Sequence, residues 1–464
     1  MSMRHLLPML ASLGLALASS AARAEEPAHS LSLGEAVTEA LASHPRITSS
    51  VADEAAAEAR IDEARAARLP DVGVSAQLNR STANTVPGAF FSTTGFVPIA
   101  GPTRTKSLDE GVWQSGASLW ASWDVLSLAR QAAAIDVAIA GRSEASAATS
   151  ARRLELAYRA ADAYLLLLEA QETVRAAHAN VERAEVLAGV TKSLVDQSLR
   201  PGADAARADA EVAGARTSLA RAEQGREVRR VQLAETVGSP TRRIDATPGG
   251  LLASVDGVAS GGAAAPSRSH PDIVVGDAAV VRATEAKRLV DVAYLPRLDL
   301  VAALWARGSG IFASPASGLV PDTANWAAGA TLTWSFLDIQ TLRTRARVAS
   351  ATRDAAVARR DELSLAVAGQ LATSDAIVRG SLGVARETPK ALAAARAAEQ
   401  QASARFKTGL TPVVDVADAQ RVLTQAEIDD VIARLEVRRA LLLLGRASGD
   451  LEPFFAQARA GQGR

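Results

Sequence analysis

Ala117-Ser118-Leu119-Trp120-Ala121-Ser122-Trp123-Asp124 alternates apolar and small or polar residues at the period of a β-strand. Ala117, Leu119, Ala121 and Trp123 share one face; Ser118, Trp120, Ser122 and Asp124 share the other. Three more stretches repeat the pattern. Val72, Val74, Ala76 and Leu78 oppose Gly73, Ser75, Gln77 and Asn79, while Leu298, Leu300, Ala302 and Leu304 mark a third strand. In the fourth, Ala328, Ala330, Leu332, Trp334 and Phe336 oppose Gly329, Thr331, Thr333 and Ser335. The expected strands lie near 70–80, 115–124, 296–306 and 326–337. Each approaches the roughly nine to eleven residues of a tilted membrane strand. Trp113, Trp120, Trp123, Trp326 and Trp334 lie in or beside them, as an interfacial aromatic girdle requires.

Loops rich in Gly, Pro, Thr and Ser join each strand pair, roughly Ser81 to Gly111 and Gly308 to Asn325, and are expected to face outside the cell. Four strands cannot close a barrel, and an open sheet edge is not tolerated in hydrocarbon. Single-chain bacterial barrels begin at about eight strands. Membrane insertion therefore demands that several chains pool their strands, and three copies supply twelve.

The rest reads as long helix. From Leu126 to Leu199 no Pro interrupts a run of strong helix formers, a span of roughly 110 Å if helical throughout. Leu154, Tyr158, Ala161, Leu165 and Leu168 form a seven-residue stripe, echoed by Ile428, Val431, Leu435 and Leu442. Turns near Gln197–Pro201 and Thr408–Pro412 each precede a new helix, with Pro expected at its first position and Thr411 as an N-cap candidate. Pro389 predicts a kink or break.

The chain also repeats itself. Ser43-His44-Pro45 and Leu69-Pro70 return as Ser269-His270-Pro271 and Leu295-Pro296, 226 positions on. Trp120 and Asp124 match Trp334 and Asp338 at 214, which places a net deletion of 12 residues between the strands. Leu199-x-Pro201-x-x-Asp204 matches Leu410-x-Pro412-x-x-Asp415 at 211, as Gly238 does Gly449. The expected division is a signal peptide over 1–24, a first repeat over 25–238, a linker over 239–268, a second repeat over 269–449 and a tail over 450–464.

Arg4, the apolar run Leu6 to Ala18 and Ala22-Arg23-Ala24 form a secretory signal cleaved after Ala24. Removing its two Arg leaves 49 basic and 51 acidic residues, so no basic footprint for nucleic acid exists. Without Cys, neither disulfides, thiolate metal sites nor an N-terminal Cys lipid anchor are expected. No Walker A sequence, nucleophile elbow or zincin helix occurs, so the chain is read as a non-enzyme without metal or cofactor. His44 and His270 read as residues that start helices.

Nearly all of the mature chain resembles the TolC family of outer-membrane efflux ducts. The marks are Leu31-Ser32-Leu33-x-Glu35-Ala36-Val37, His44-Pro45, Leu69-Pro70 and Thr408-Gly409-Leu410-x-Pro412-x-x-Asp415-x-x-Asp418-Ala419-Gln420, with the duplicated order of helix, strand pair and helical hairpin. The resemblance implies an α+β membrane protein of the Gram-negative outer membrane. It would be a homotrimer whose twelve-strand transmembrane β-barrel, four strands per chain, continues into a long periplasmic α-helical barrel. It further implies a passive exit duct, for efflux or type I secretion, contacting outer-membrane lipid. A periplasmic adaptor and an inner-membrane pump of the RND or ABC type would energise it. Gate aspartates of the family fall on Asp415 and Asp418, and Asp204 holds the matching place in the first repeat, with Arg207 replacing the second acid. Thr411 stands where an arginine often precedes the second motif. Leu199, Gly409 and Leu410 are candidates for adaptor contact.

The residues alone leave alternatives open. Acids in a first helical turn complement the helix dipole without any gate, and Gly in a turn needs no partner. A periplasmic adaptor, or a structural coiled coil, also carries long hairpins. An adaptor resembles a single hairpin set into β-domains, and a coiled coil leaves the Trp-bearing strands unexplained.

Overall fold

The computed structural model describes residues 29–82, 111–254, 268–311, 314–334 and 338–460. The expected signal peptide with Ala24, most of the first loop and Phe336 lie outside the described residues. Two compact units are present: one formed by 1–49, 150–271 and 364–464, the other by 50–149 and 272–363.

In chain order the elements are β1 (His29–Leu31), α1 (Leu33–Ser43), α2 (Pro45–Ala66), β2 (Asp71–Thr82), β3 (Gly111–Asp124), α3 (Leu128–Asp196), α4 (Gly202–Val237) and β4 (Ile244–Ala246). The second half supplies α5 (Pro271–Asp291), β5 (Arg297–Ser309), β6 (Thr323–Thr333), α6 (Ile339–Lys407), α7 (Val413–Ser448) and α8 (Glu452–Ala460). Its fourth strand starts and ends earlier than its alternation suggested, and Trp334 follows it.

In the long helices the duplication is preserved residue by residue. Helices α3 and α6 have 69 residues each, α4 and α7 have 36, and both pairs are offset by 211. Strand pairing corrects the intermediate offset. Val72 pairs with Ala121 and Leu298 with Leu332, so a shift of 226 in the first strand of each pair already becomes 211 in the second. The counterpart of Trp334 is therefore Trp123, not Trp120. The change in offset, 15 residues, falls in one step between the paired strands.

In the first unit, the stripe on α3 becomes the centre of a core. Tyr164, Leu165, Leu167 and Leu168 are buried, with Leu233 and Val237 of α4 and Leu435 and Leu442 of α7. Burial extends right round this part of α3 because α1, the parallel pair β1–β4 and α8 also cover it, with Phe454 inserted. The opening motif supplies one of these covers. Ser32 Oγ accepts from Glu35 N, the Glu35 carboxylate accepts from Ser32 N, and Leu33, Ala36, Val37 and Ala40 are buried below this capping box. The hydrogen bond from the Ser32 backbone holds the Glu35 carboxyl below the usual range.

All four long-hairpin helices end alike, with a left-handed residue at Ser198, Gly238, Gly409 or Gly449. The next amide returns to a carbonyl five residues back: Leu199 to Leu194, Ser239 to Ala234, Leu410 to Arg405 and Asp450 to Gly445. Pro201 and Pro412 are extended N-caps rather than first helical residues, and Thr411 does not cap α7. Pro389 does not break α6. The helix continues because buried Ala385, Leu392 and Ala395 hold both sides of the proline against α7.

The second unit contains an antiparallel sheet ordered β2-β3-β5-β6. Among the described residues, β2 and β6 pair on one side only, so both edges are free. No described helix is long and apolar enough to cross a membrane.

Candidate functional site: a two-faced sheet and the hairpin tips

Register sorts the sheet side chains into two sets. Val72, Val74, Ala76 and Leu78 line up through β3 with Ala121, Leu119, Ala117 and Ser115. The same face continues on β5 with Leu298, Leu300, Ala302, Leu304 and Ala306, and on β6 with Ala324, Trp326, Ala328, Ala330 and Leu332. This face is apolar yet open: Val74 is 79% exposed and Trp326 75%. A continuous exposed apolar surface on a folded sheet marks contact with lipid or protein. The opposite face carries Ser75, Gln77, Asn79, Gln114, Ser118, Ser122, Asp124, Arg297, Asp299, Asn325, Thr331 and Thr333. At its helix-proximal end Asp124 pairs with Arg130 at 2.7 Å and Arg297 at 3.4 Å.

The tryptophans divide between the faces. Trp113, Trp123 and Trp326 belong to the apolar face, and Trp334 continues its alternation just beyond β6. Trp305 and Trp120 belong to the polar face, where Trp120 covers Gly73 so closely that a Cβ there would lie 2.5 Å from the ring. Its Nε1 donates to Ser75 Oγ at 3.3 Å. Its indole is thus structural packing on the polar side.

At the tips the two repeats diverge. Asp204, in the first turn of α4, is half-buried and lies 3.9 Å from Arg200. Arg200 donates to Thr411 O at 2.9 Å and stacks over Phe406 with its Cζ 5.1 Å from the ring centroid. Arg200 is the 211-offset counterpart of Thr411, so a tip arginine is present, in the other repeat, tying the two turns together. Neighbouring Arg–Pro and Thr–Pro pairs carry no signal of this contact in the sequence; only the offset relates them.

Asp415 and Asp418 are both exposed on α7. Asp418 pairs with Arg421 at 3.0 Å, and Arg421 also reaches Glu211 of α4 at 3.3 Å. Asp415 forms no ion pair among the described residues. Leu199 and Leu410, one per tip, are 65% and 76% exposed. Gly409 has a φ of 77° and open space around it within this chain, so the turn itself calls for glycine there. His44 Nδ1 accepts from Arg46 N at 3.1 Å at the start of α2, whereas His270 is buried beside Arg446. Among the described residues no cluster of His, Cys, Asp and Glu is placed to hold a metal.

Long paired helices in two copies, with a two-faced sheet whose edges are unpaired among the described residues, give the fold a form that can be compared with known proteins. The sequence profile described as outer membrane efflux protein matches residues 36–239 and 267–450, one match per repeat. The fold is similar to the outer membrane protein VceC from Vibrio cholerae, at a TM-score of 0.70 and 18% identity, covering 90% of this chain and 96% of that one. It is likewise similar to the Campylobacter jejuni CmeC outer membrane channel (0.69, 14%, 92% and 89%). A third match is the open state of the Neisseria gonorrhoeae MtrE outer membrane channel (0.68, 19%, 90% and 89%). Comparison with functionally curated proteins returns no significant match. The chain belongs to the outer membrane efflux protein family. The adaptor and coiled-coil alternatives fall with that match.

Proposed function

We propose that three copies of this chain close a twelve-strand barrel in the outer membrane, and that their helices form the periplasmic part of a passive exit duct. The observation that carries this reading is the sheet: one face uncharged over nearly its whole extent, the other holding the polar and charged residues, and two edges unpaired among the described residues. Identical neighbours supply the missing edge partners, since hydrocarbon cannot. Spacing supports it too. Trp113 and Trp123 share one face of β3 ten residues apart. That is about 34 Å along the strand, or about 24 Å along the membrane normal at a tilt of about 45°. The apolar band of such barrels is about 25 Å tall.

The duct receives its cargo from a periplasmic adaptor and an inner-membrane pump, and the exposed Leu199 and Leu410 at the turns, with Gly409, are the adaptor contacts. Three copies of α7 bring Asp415 and Asp418 together as a cation-selective constriction, with Arg200 and Asp204 holding the turns in place. Because Arg421 offsets Asp418, Asp415 carries the greater share of the unbalanced charge. Single-channel recording in planar bilayers tests this. Asp415→Ala is expected to weaken block by multivalent cations about tenfold, and Asp418→Ala by clearly less. Unchanged block in the double variant would remove the constriction.

A further inference from the structure

Arg80 is the single charged residue on the apolar face of the described sheet. It stands near the loop end of β2, paired across the ladder with Trp113, and its Cζ lies 5.8 Å from the centroid of that ring. Its side chain is exposed and forms no ion pair among the described residues. Gly111 keeps the space beside it, since a Cβ there would come within 3.0 Å of Arg80 Nε. The guanidinium thus lies exposed beside an indole, with no acidic partner among the described residues.

An arginine cannot discharge, so a lipid-facing one is costly at the bilayer centre and tolerated only near the interface. A long stem lets its head reach the polar zone. There, the planar fork matches a phosphate bidentately, which a lysine does not. Resting on the proposed duct with its loops outside the cell, the loop end of β2 lies in the outer leaflet. We propose that Arg80 with Trp113 forms a headgroup site for a glucosamine phosphate of lipid A, one per protomer.

Native mass spectrometry of the full-length protein in non-ionic detergent provides the test. The probes are bis-phosphorylated lipid A, the same lipid without its phosphates, and phosphatidylglycerol. Up to three lipid A molecules per assembly are expected. Arg80→Ala should weaken lipid A binding at least tenfold at unchanged oligomer mass, and Arg80→Lys should recover part of the loss. The dephosphorylated lipid should not distinguish the variants. Equal lipid A binding by wild type and Arg80→Ala would overturn the site. So would an equal loss of phosphatidylglycerol, which would make it a general phosphate contact. A wild-type protein that is monomeric without detergent defeats the duct reading instead, so the two failures are distinguishable.

Discussion

Tyr164 shows how one side chain organises the first unit. Its hydroxyl lies 2.6 Å from Thr247 O and 3.0 Å from Leu31 O, so a single proton is shared by the C-terminal ends of both strands of the parallel β1–β4 pair. Burial is the chief cause that pushes its ionisation up to about 12, from an ordinary 10. The neutral form is favoured in the folded state, so this contribution is complete below pH 10 and is lost as pH rises toward 12. Absorbance titration at 295 nm should find one phenol ionising near 12 while folded, with unfolding made easier across that window. Tyr164→Phe should cost about 1–3 kcal/mol and remove its share of the alkaline loss. Ionisation of Tyr164 near 10 in the folded protein would contradict the assignment. Nothing around Tyr158-x-x-Ala161 in the sequence distinguished Tyr164, because its partners are backbone carbonyls 83 and 133 residues away.

At the scale of elements, the helix ends make a paired prediction. Gly238 and Gly449 are equivalents with φ of 91° and 86°. A Cβ at Gly238 would meet Ser43 Oγ at 3.5 Å, an ordinary contact, whereas at Gly449 it would meet His270 and Pro271 at 3.0 Å. Gly238→Ala should cost about 1 kcal/mol from the left-handed backbone alone, and Gly449→Ala about 2–3 kcal/mol, since the buried His270 must also move. Denaturant unfolding of both variants checks the order. The same elements show what was legible beforehand. Strands were readable because period two writes both faces directly into the chain. The repeat was readable where turn chemistry fixes residues, as at Leu199-x-Pro201-x-x-Asp204. It misled at Trp120 and Trp334, whose similarity in sequence hides opposite sheet faces. That Pro389 leaves α6 unbroken is not written locally, because packing against α7 decides whether a helix continues through a proline. The short pair β1–β4 and α8 are too brief to show a period, yet they complete the core.

For the whole molecule, the proposed duct requires the sheet to be lipid-facing on one side and water-facing on the other. Leu119→Arg on the apolar face should cost about 2–4 kcal/mol if near the membrane midplane and reduce the assembled fraction, measured by gel mobility of unheated samples. Thr331→Arg, at an exposed position of the polar face, should assemble normally and lower cation conductance. Equal tolerance of both would leave the two faces without meaning. In the proposed duct one chain owns too few strands to close a wall. Electron cryomicroscopy of the detergent-purified protein measures this directly: three copies should share one closed wall, with the free edge of β2 bonded to β6 of a neighbour. A monomer stable in water, with both edges unpaired, would contradict it.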